Sequence, residues 1–324
     1  MLVRLYRTHQ PTLLLGLLLL VPALWSGVLW NGVTVQPGQH MVLYQPFARL
    51  FAAVPWSAIA IGILTTIGVA VQVDALANDR ELFERRNHLP ALLFPVLLSI
   101  GPWHAAPDAA LLGMPMVLFA LRRTWGTQGR TKALGDLFDA GTLVGVAALF
   151  YLPYLFLLVV LWASIAVMRP FGWRDYLVPA LGIVVVMVPA WSMAGLLAPG
   201  SWHAADTLSV VRSAGRPGGT LHDRVAPVLV SLVTLPAVLA FAQLYGRSIM
   251  REKNARAAYL AFAFALALLL VLQWLLGRPM SAVLVACPLA ILLAYPLQTT
   301  RRVWLAELAL YALLAVALAG QWWG

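Results

Sequence analysis

The chain is 324 residues long, with 62% hydrophobic residues against 10% charged, a balance that excludes an ordinary soluble domain. Continuous apolar runs of spanning length exclude an outer-membrane barrel and predict an all-α polytopic transmembrane bundle of about eleven helices embedded in a lipid bilayer. The net charge of +10 sits in short basic clusters at predicted helix ends, which fits topology and anionic lipid and no nucleic acid, and the single Cys287 excludes disulfides.

A basic start precedes the apolar run 13–30, read as an uncleaved first helix with its N-terminus in the cytoplasm. Residues 31–45 form a loop whose only acid or base is His40, and a second span over 46–73 begins with Arg49. Residues 80–125 organise the rest: apolar runs 89–103 and 109–121 are fenced by Arg85, Arg86 and Arg122, Arg123, and joined by His104-Ala-Ala-Pro-Asp108. Because Lys and Arg are retained in the cytoplasm, this hairpin places His104 and Asp108 at the opposite face. A re-entrant hairpin would place them inside the membrane, in a polar cavity. The run 78–88 reads as a solvated cytoplasmic loop.

Residues 135–168 are either one helix kinked at Pro153 or two short helices turning near Tyr151-Leu-Pro-Tyr154; the positive-inside rule favours two. Spans are then expected over 176–198, 225–245, 257–276, 280–297 and 303–320. The chain divides into an N-terminal module, 1–198, an outside polar loop, 199–224, and a C-terminal module, 225–324. That loop carries His203, Asp206, Arg212, Arg216, His222, Asp223 and Arg224, and Gly215, Pro217, Gly218 and Gly219 predict no regular helix in it. It is either a solvated connector or a functional loop over the bundle.

Phosphate-binding glycine loops, paired-His zinc motifs and nucleophile elbows are missing. Charge within the spans is sparse: Glu307 lies one turn into the last helix, Asp139 near the start of the fifth, and the acids cluster at helix ends. With no matching pair of broken helices, a transporter ranks behind the readings below.

The order of span, outside loop, span, Asn78-Asp-Arg-Glu-Leu-Phe-Glu-Arg-Arg86, short span, turn ending Pro107-Asp108, short span and Arg122-Arg123 resembles the N-terminal half of GT-C class glycosyltransferases. The stretch Asp139-Ala-Gly-Thr-Leu-Val-Gly-Val-Ala-Ala-Leu-Phe-Tyr-Leu-Pro-Tyr154 continues that resemblance, which covers about the first 190 residues. As a whole the chain is similar to an uncharacterised family of bacterial multi-pass inner-membrane proteins. The GT-C resemblance implies a polyprenyl-phosphate sugar donor, transfer at the outer face, and glycine-rich helices packed closely below the donor site. It also implies that Asp108, matching the second functional acid of the class, orients or deprotonates an acceptor hydroxyl. His104 and His40 would assist, and Arg212, Arg216 or Arg224 would hold the donor phosphate. The acid that the class carries in its first outside loop, as base or divalent-metal ligand, is missing here. The alternative from another class is a noncatalytic membrane subunit or assembly factor whose partners are other subunits of a cell-envelope complex. Pro107-Asp108 is equally an ordinary helix start.

Overall fold

The computed structural model describes residues 2–7, 10–31, 41–80, 82–100, 107–130, 132–169, 172–197, 221–277, 281–300 and 302–323. Among them are fourteen α-helices and no strand. They are α1 (Leu2–Tyr6), α2 (Leu17–Leu24), α3 (Ser26–Asn31), α4 (Tyr44–Ala53), α5 (Pro55–Asp79), α6 (Leu89–Leu98), α7 (Ala109–Trp125), α8 (Leu134–Phe150), α9 (Leu158–Met168), α10 (Trp173–Leu197), α11 (Leu221–Arg247), α12 (Met250–Leu275), α13 (Ala282–Thr299) and α14 (Val303–Trp323). Six of these, α5 and α10 to α14, contain stretches long and apolar enough to cross a membrane. With the shorter apolar helices they make an all-α polytopic membrane protein, and one buried apolar cluster runs through it from Val3 to Ala317.

The centre is α6. Its sequence is apolar all round, a pattern that requires enclosure, and every residue from Leu89 to Leu98 is buried, with α5, α13 and α14 around it. Ten residues rise only about 15 Å, half the hydrocarbon thickness. Protein on all sides removes the mismatch with lipid. The following helix, α7, carries the chain from the Asp108 end to the arginine-rich end, where Arg122 and Arg123 complement its C-terminal dipole. There they pair with Asp79 and Asp136.

Residues 135–168 form two helices. The first, α8, stops at Tyr151, whose backbone is extended at φ −141° and ψ 99°, and a 3-10 turn, Leu152–Leu157, leads into α9. The chain has reversed by the end of α9, because Arg169 reaches back to the Arg130 carbonyl just ahead of α8. Next, α10 runs parallel to α8, with Gly141 against Pro179 and Gly145 against Ile183 and Val186.

Four expectations need correction. The first span is not one helix: a 3-10 turn, Pro11–Gly16, leads into α2, and α2 and α3 break at Trp25, three residues after Pro22. Arg49 does not open the second span. It lies exposed on the amphipathic α4, which buries Tyr44, Ala48 and Phe51 at i, i+4 and i+7, and the break at Val54 precedes Pro55, where the helical region is disfavoured. The helix α11 begins at Leu221, within the stretch expected to be loop.

The run 78–88 is solvated only in part: Asp79, Glu84, Arg85 and Arg86 are exposed, while Leu82, Asn87 and His88 are buried. Tyr295 Oη at 2.8 Å and Arg256 Nε at 3.3 Å both donate to the Leu82 carbonyl. Asn78 Nδ2 donates to the Asn87 carbonyl at 2.8 Å and its Oδ1 accepts from the Asn87 amide at 3.1 Å. The His88 amide donates to the Tyr6 carbonyl at 2.9 Å, and His88 Nδ1 lies 2.7 Å from Asp74 Oδ2. Most of these partners come from distant helices, which is why Leu82, Asn87 and His88 are buried within a polar local sequence.

Candidate functional site

The end opposite the arginines gathers the polar groups around Asp108. Asp108 caps α7: its backbone is extended, at φ −73° and ψ 163°, and its Oδ1 accepts from the Leu111 amide at 2.8 Å. That is the role expected of Asp ahead of a helix, where it satisfies a free amide at the positive end of the dipole. The side chain is half-buried. Burial pushes its carboxyl above the usual carboxylate range, opposed by the Ser281 hydroxyl and the Leu111 amide.

Tyrosines fix the ground on either side. Tyr44, at the start of α4, donates to the Pro107 carbonyl at 2.8 Å, and burial followed by the Asp108 charge raises its phenol above the ordinary value. The Leu43 amide donates to the Leu149 carbonyl at 3.1 Å, so the chain entering α4 is pinned between the start of α7 and the end of α8. Tyr154, fully buried, donates to the Ala110 carbonyl at 2.7 Å. Its ring lies against Gly113, where a Cβ would approach it to 3.0 Å.

Tyr154→Phe removes one buried hydrogen bond and keeps the ring, so stability is expected to fall by about 1 kcal/mol. Thermal melting in detergent reads this, and a variant melting with wild type would show that the bond contributes nothing.

The third wall comes from α12 and the segment entering α13. Near the end of α12, Gln273 donates from Nε2 to Tyr151 Oη at 2.6 Å and accepts from the Ser281 amide at Oε1 at 3.2 Å. Tyr151 and Tyr154 meet edge to face at 5.0 Å. Ser281, just ahead of α13, is buried, and its hydroxyl forms no hydrogen bond of ordinary geometry, although it stabilises the Asp108 charge. The result is a carboxylate bordered by phenol, amide and hydroxyl groups from α4, α7, the 151–157 turn, α12 and the segment entering α13. Such a set can accept a proton from, and orient, a hydroxyl-bearing ligand.

Of the candidate catalytic and phosphate-binding residues, Asp108 alone is placed with its side chain. His40, His104, Arg212 and Arg216 lie outside the described residues. Arg224 falls in the first turn of α11, with its side chain outside the described set. Tyr44, Tyr151, Tyr154, Gln273 and Ser281 were not singled out. Only Tyr151 and Tyr154, flanking the Leu-Pro break, carry a local signal. Among the described residues no three His, Cys, Asp or Glu side chains gather to hold a metal, and Asp108 is the single described carboxylate of this cluster.

No curated protein matches the chain. Among solved structures it is similar to the oligosaccharyltransferase of Archaeoglobus fulgidus in the apo form, with a TM-score of 0.47 and 16% identity over 81% of this chain. It spans 44% of the length of that protein. Residues 41–320 match the model of a family of unknown function (DUF6427), and the chain belongs to that family.

Proposed function

We propose that this membrane protein is a GT-C-like glycosyltransferase of the bacterial inner membrane, moving a sugar from a polyprenyl-phosphate donor to an acceptor hydroxyl at the outer face. The observation that carries the reading is Asp108, a half-buried carboxyl at the end away from the arginines, with Oδ1 in the helix cap and neighbouring hydroxyls from Tyr44 and Ser281. A carboxyl raised by burial is a stronger base than one in water. The acceptor oxygen attacks the anomeric carbon, the bond from that carbon to the phosphate oxygen breaks, and its electron pair leaves on the polyprenyl phosphate. The acceptor proton passes to Asp108. In this proposal His104 and His40 assist the transfer, and Arg212, Arg216 and Arg224 hold the donor phosphate.

The test exploits the double role of Asp108. Asn caps a helix as well as Asp does, so Asp108→Asn keeps the cap and removes the base. Purified protein in nanodiscs, given radiolabelled polyprenyl-phosphate mannose or glucose, is expected to transfer or hydrolyse the sugar, and the variant to do so at least about a hundredfold more slowly. Equal rates in a folded variant would leave Asp108 as a cap alone. No turnover by folded wild-type protein with either donor would favour the noncatalytic subunit, a reading supported by the small buried shares of α10 and α11, 17% and 11%.

A further inference from the structure

The arginine-rich end holds a second feature, unconnected with Asp108. A cavity of about 520 Å³ lies between the last residues of α5 and α7 and the first turn of α12. Its lining includes both signs of charge, but the carboxylates are engaged: Asp79 pairs with Arg122, and Glu252 with Arg256 at 3.4 Å. Arg80 has no carboxylate partner among the described residues. Its Nη2 donates to the Arg122 carbonyl at 2.6 Å, and its buried Nε has no hydrogen-bond partner.

Capping the end of α7 is a sufficient use for one nitrogen of Arg80. It leaves the rest of a planar fork whose geometry suits phosphate oxygens. Gly126 makes room for it, since a Cβ there would come within 2.8 Å of Nη2. Burial, reinforced by the charges of Arg122 and Arg130, pushes the guanidinium below its ordinary value against the pull of Asp79, and a bound anion would relieve that. Gln128 and Asn254 also line the cavity and supply neutral amide donors. Met250, 77% exposed, forms an apolar lip. The volume suits a head group and its glycerol, at the bundle end where basic pockets between helices meet anionic lipid.

We propose that this cavity binds the phosphate-bearing head group of an anionic phospholipid, with Arg80 as the phosphate ligand and Gln128 and Asn254 as donors beside it. The full chain is reconstituted with equal phosphatidylglycerol and phosphatidylcholine, extracted, and weighed by native mass spectrometry. Wild type is expected to retain phosphatidylglycerol over phosphatidylcholine, and Arg80→Gln to retain about tenfold less phosphatidylglycerol with phosphatidylcholine unchanged. Because Arg80 also caps α7, the pair Gln128→Leu and Asn254→Leu, which spares that bond, is measured beside it. A loss of roughly threefold or more is expected there, and this variant decides if Arg80→Gln does not fold. Equal phosphatidylglycerol retention by wild type and the folded variants overturns the proposal. So does protection of wild type from heat by millimolar inorganic phosphate without phosphatidylglycerol enrichment, which would identify a soluble phosphate as the ligand.

Discussion

Gly141→Leu is expected to abolish the folded protein. A Cβ at Gly141 would stand 2.1 Å from the Pro179 carbonyl oxygen, and one at Gly182, on the facing helix, 2.5 Å from the Phe138 carbonyl oxygen. Neither obstacle is a side chain that can swing aside; both are helix backbone, so α8 and α10 would have to separate. Within lipid the hydrophobic effect does not hold helices together, so that separation costs the close packing itself. Helices there associate through close packing and hydrogen bonds. Even one methyl, in Gly141→Ala, overpacks the contact and is expected to lower stability by about 1–3 kcal/mol. Gly135→Ala serves as the control: it is exposed in the first turn of the same helix and a Cβ there meets nothing within 4 Å, so it should be neutral or stabilising by about 0.4–1 kcal/mol. Size exclusion and thermal melting in detergent compare the three. A Gly141→Leu protein that elutes and melts as wild type does would refute the close approach of these helices.

That contact was not read from the residues themselves, where close packing of glycine-rich helices entered only as what the family resemblance implies, and the reason divides what could be read from what could not. Hydropathy locates spans because the bilayer imposes a length on them, and α10 to α14 lie close to their expected positions. The reversal near Tyr151-Leu-Pro-Tyr154 follows from local chemistry and from the bias of basic residues to one side. Asp108 as the start of α7 was equally local. The first helix shows where locality fails: its apolar run is unbroken, yet the structure interrupts it at Trp25. Residues 78–88 show the larger failure. Eight charged or amide side chains in that stretch read as solvated; Glu84, Arg85 and Arg86 are exposed, but Asn78 and Asn87 are buried, and the segment is held by Tyr295 and Arg256, which lie 213 and 174 residues from Leu82. The Asp108 surroundings repeat this pattern. Gln273 reaches Tyr151 across 122 residues, and nothing near either residue announces the other. The family assignment covers most of the chain but names no chemistry, so the carboxylate has to be judged by its own environment and by Asp108→Asn.

His88→Leu is expected to destabilise the protein by about 1–3 kcal/mol, and adding Asp74→Leu to it should restore part of that loss, because leaving one partner of a buried hydrogen bond unpaired costs more than removing both. His88 and Asp74 meet at 2.7 Å with side-chain exposures of 4% and 5%. Asp74 sits on α5 one turn before its end, and its second oxygen, Oδ1, is buried without a hydrogen-bond partner. Removing the imidazole therefore takes away the nearest partner of the carboxyl, leaving it the weaker support of the Asn78 side chain and the Ala91 backbone in a place that water does not reach. The loop itself should stay in position, since the reciprocal Asn78 and Asn87 bonds and the bonds to the Leu82 carbonyl do not involve the imidazole. The loss should thus belong to the Asp74–His88 contact and not to unfolding of residues 82–88. A double-mutant cycle by thermal or denaturant melting measures it, with the two singles expected to be strongly non-additive. Costs that simply add in the double variant would show that Asp74 and His88 contribute independently, and the buried pair would then be a contact without coupling.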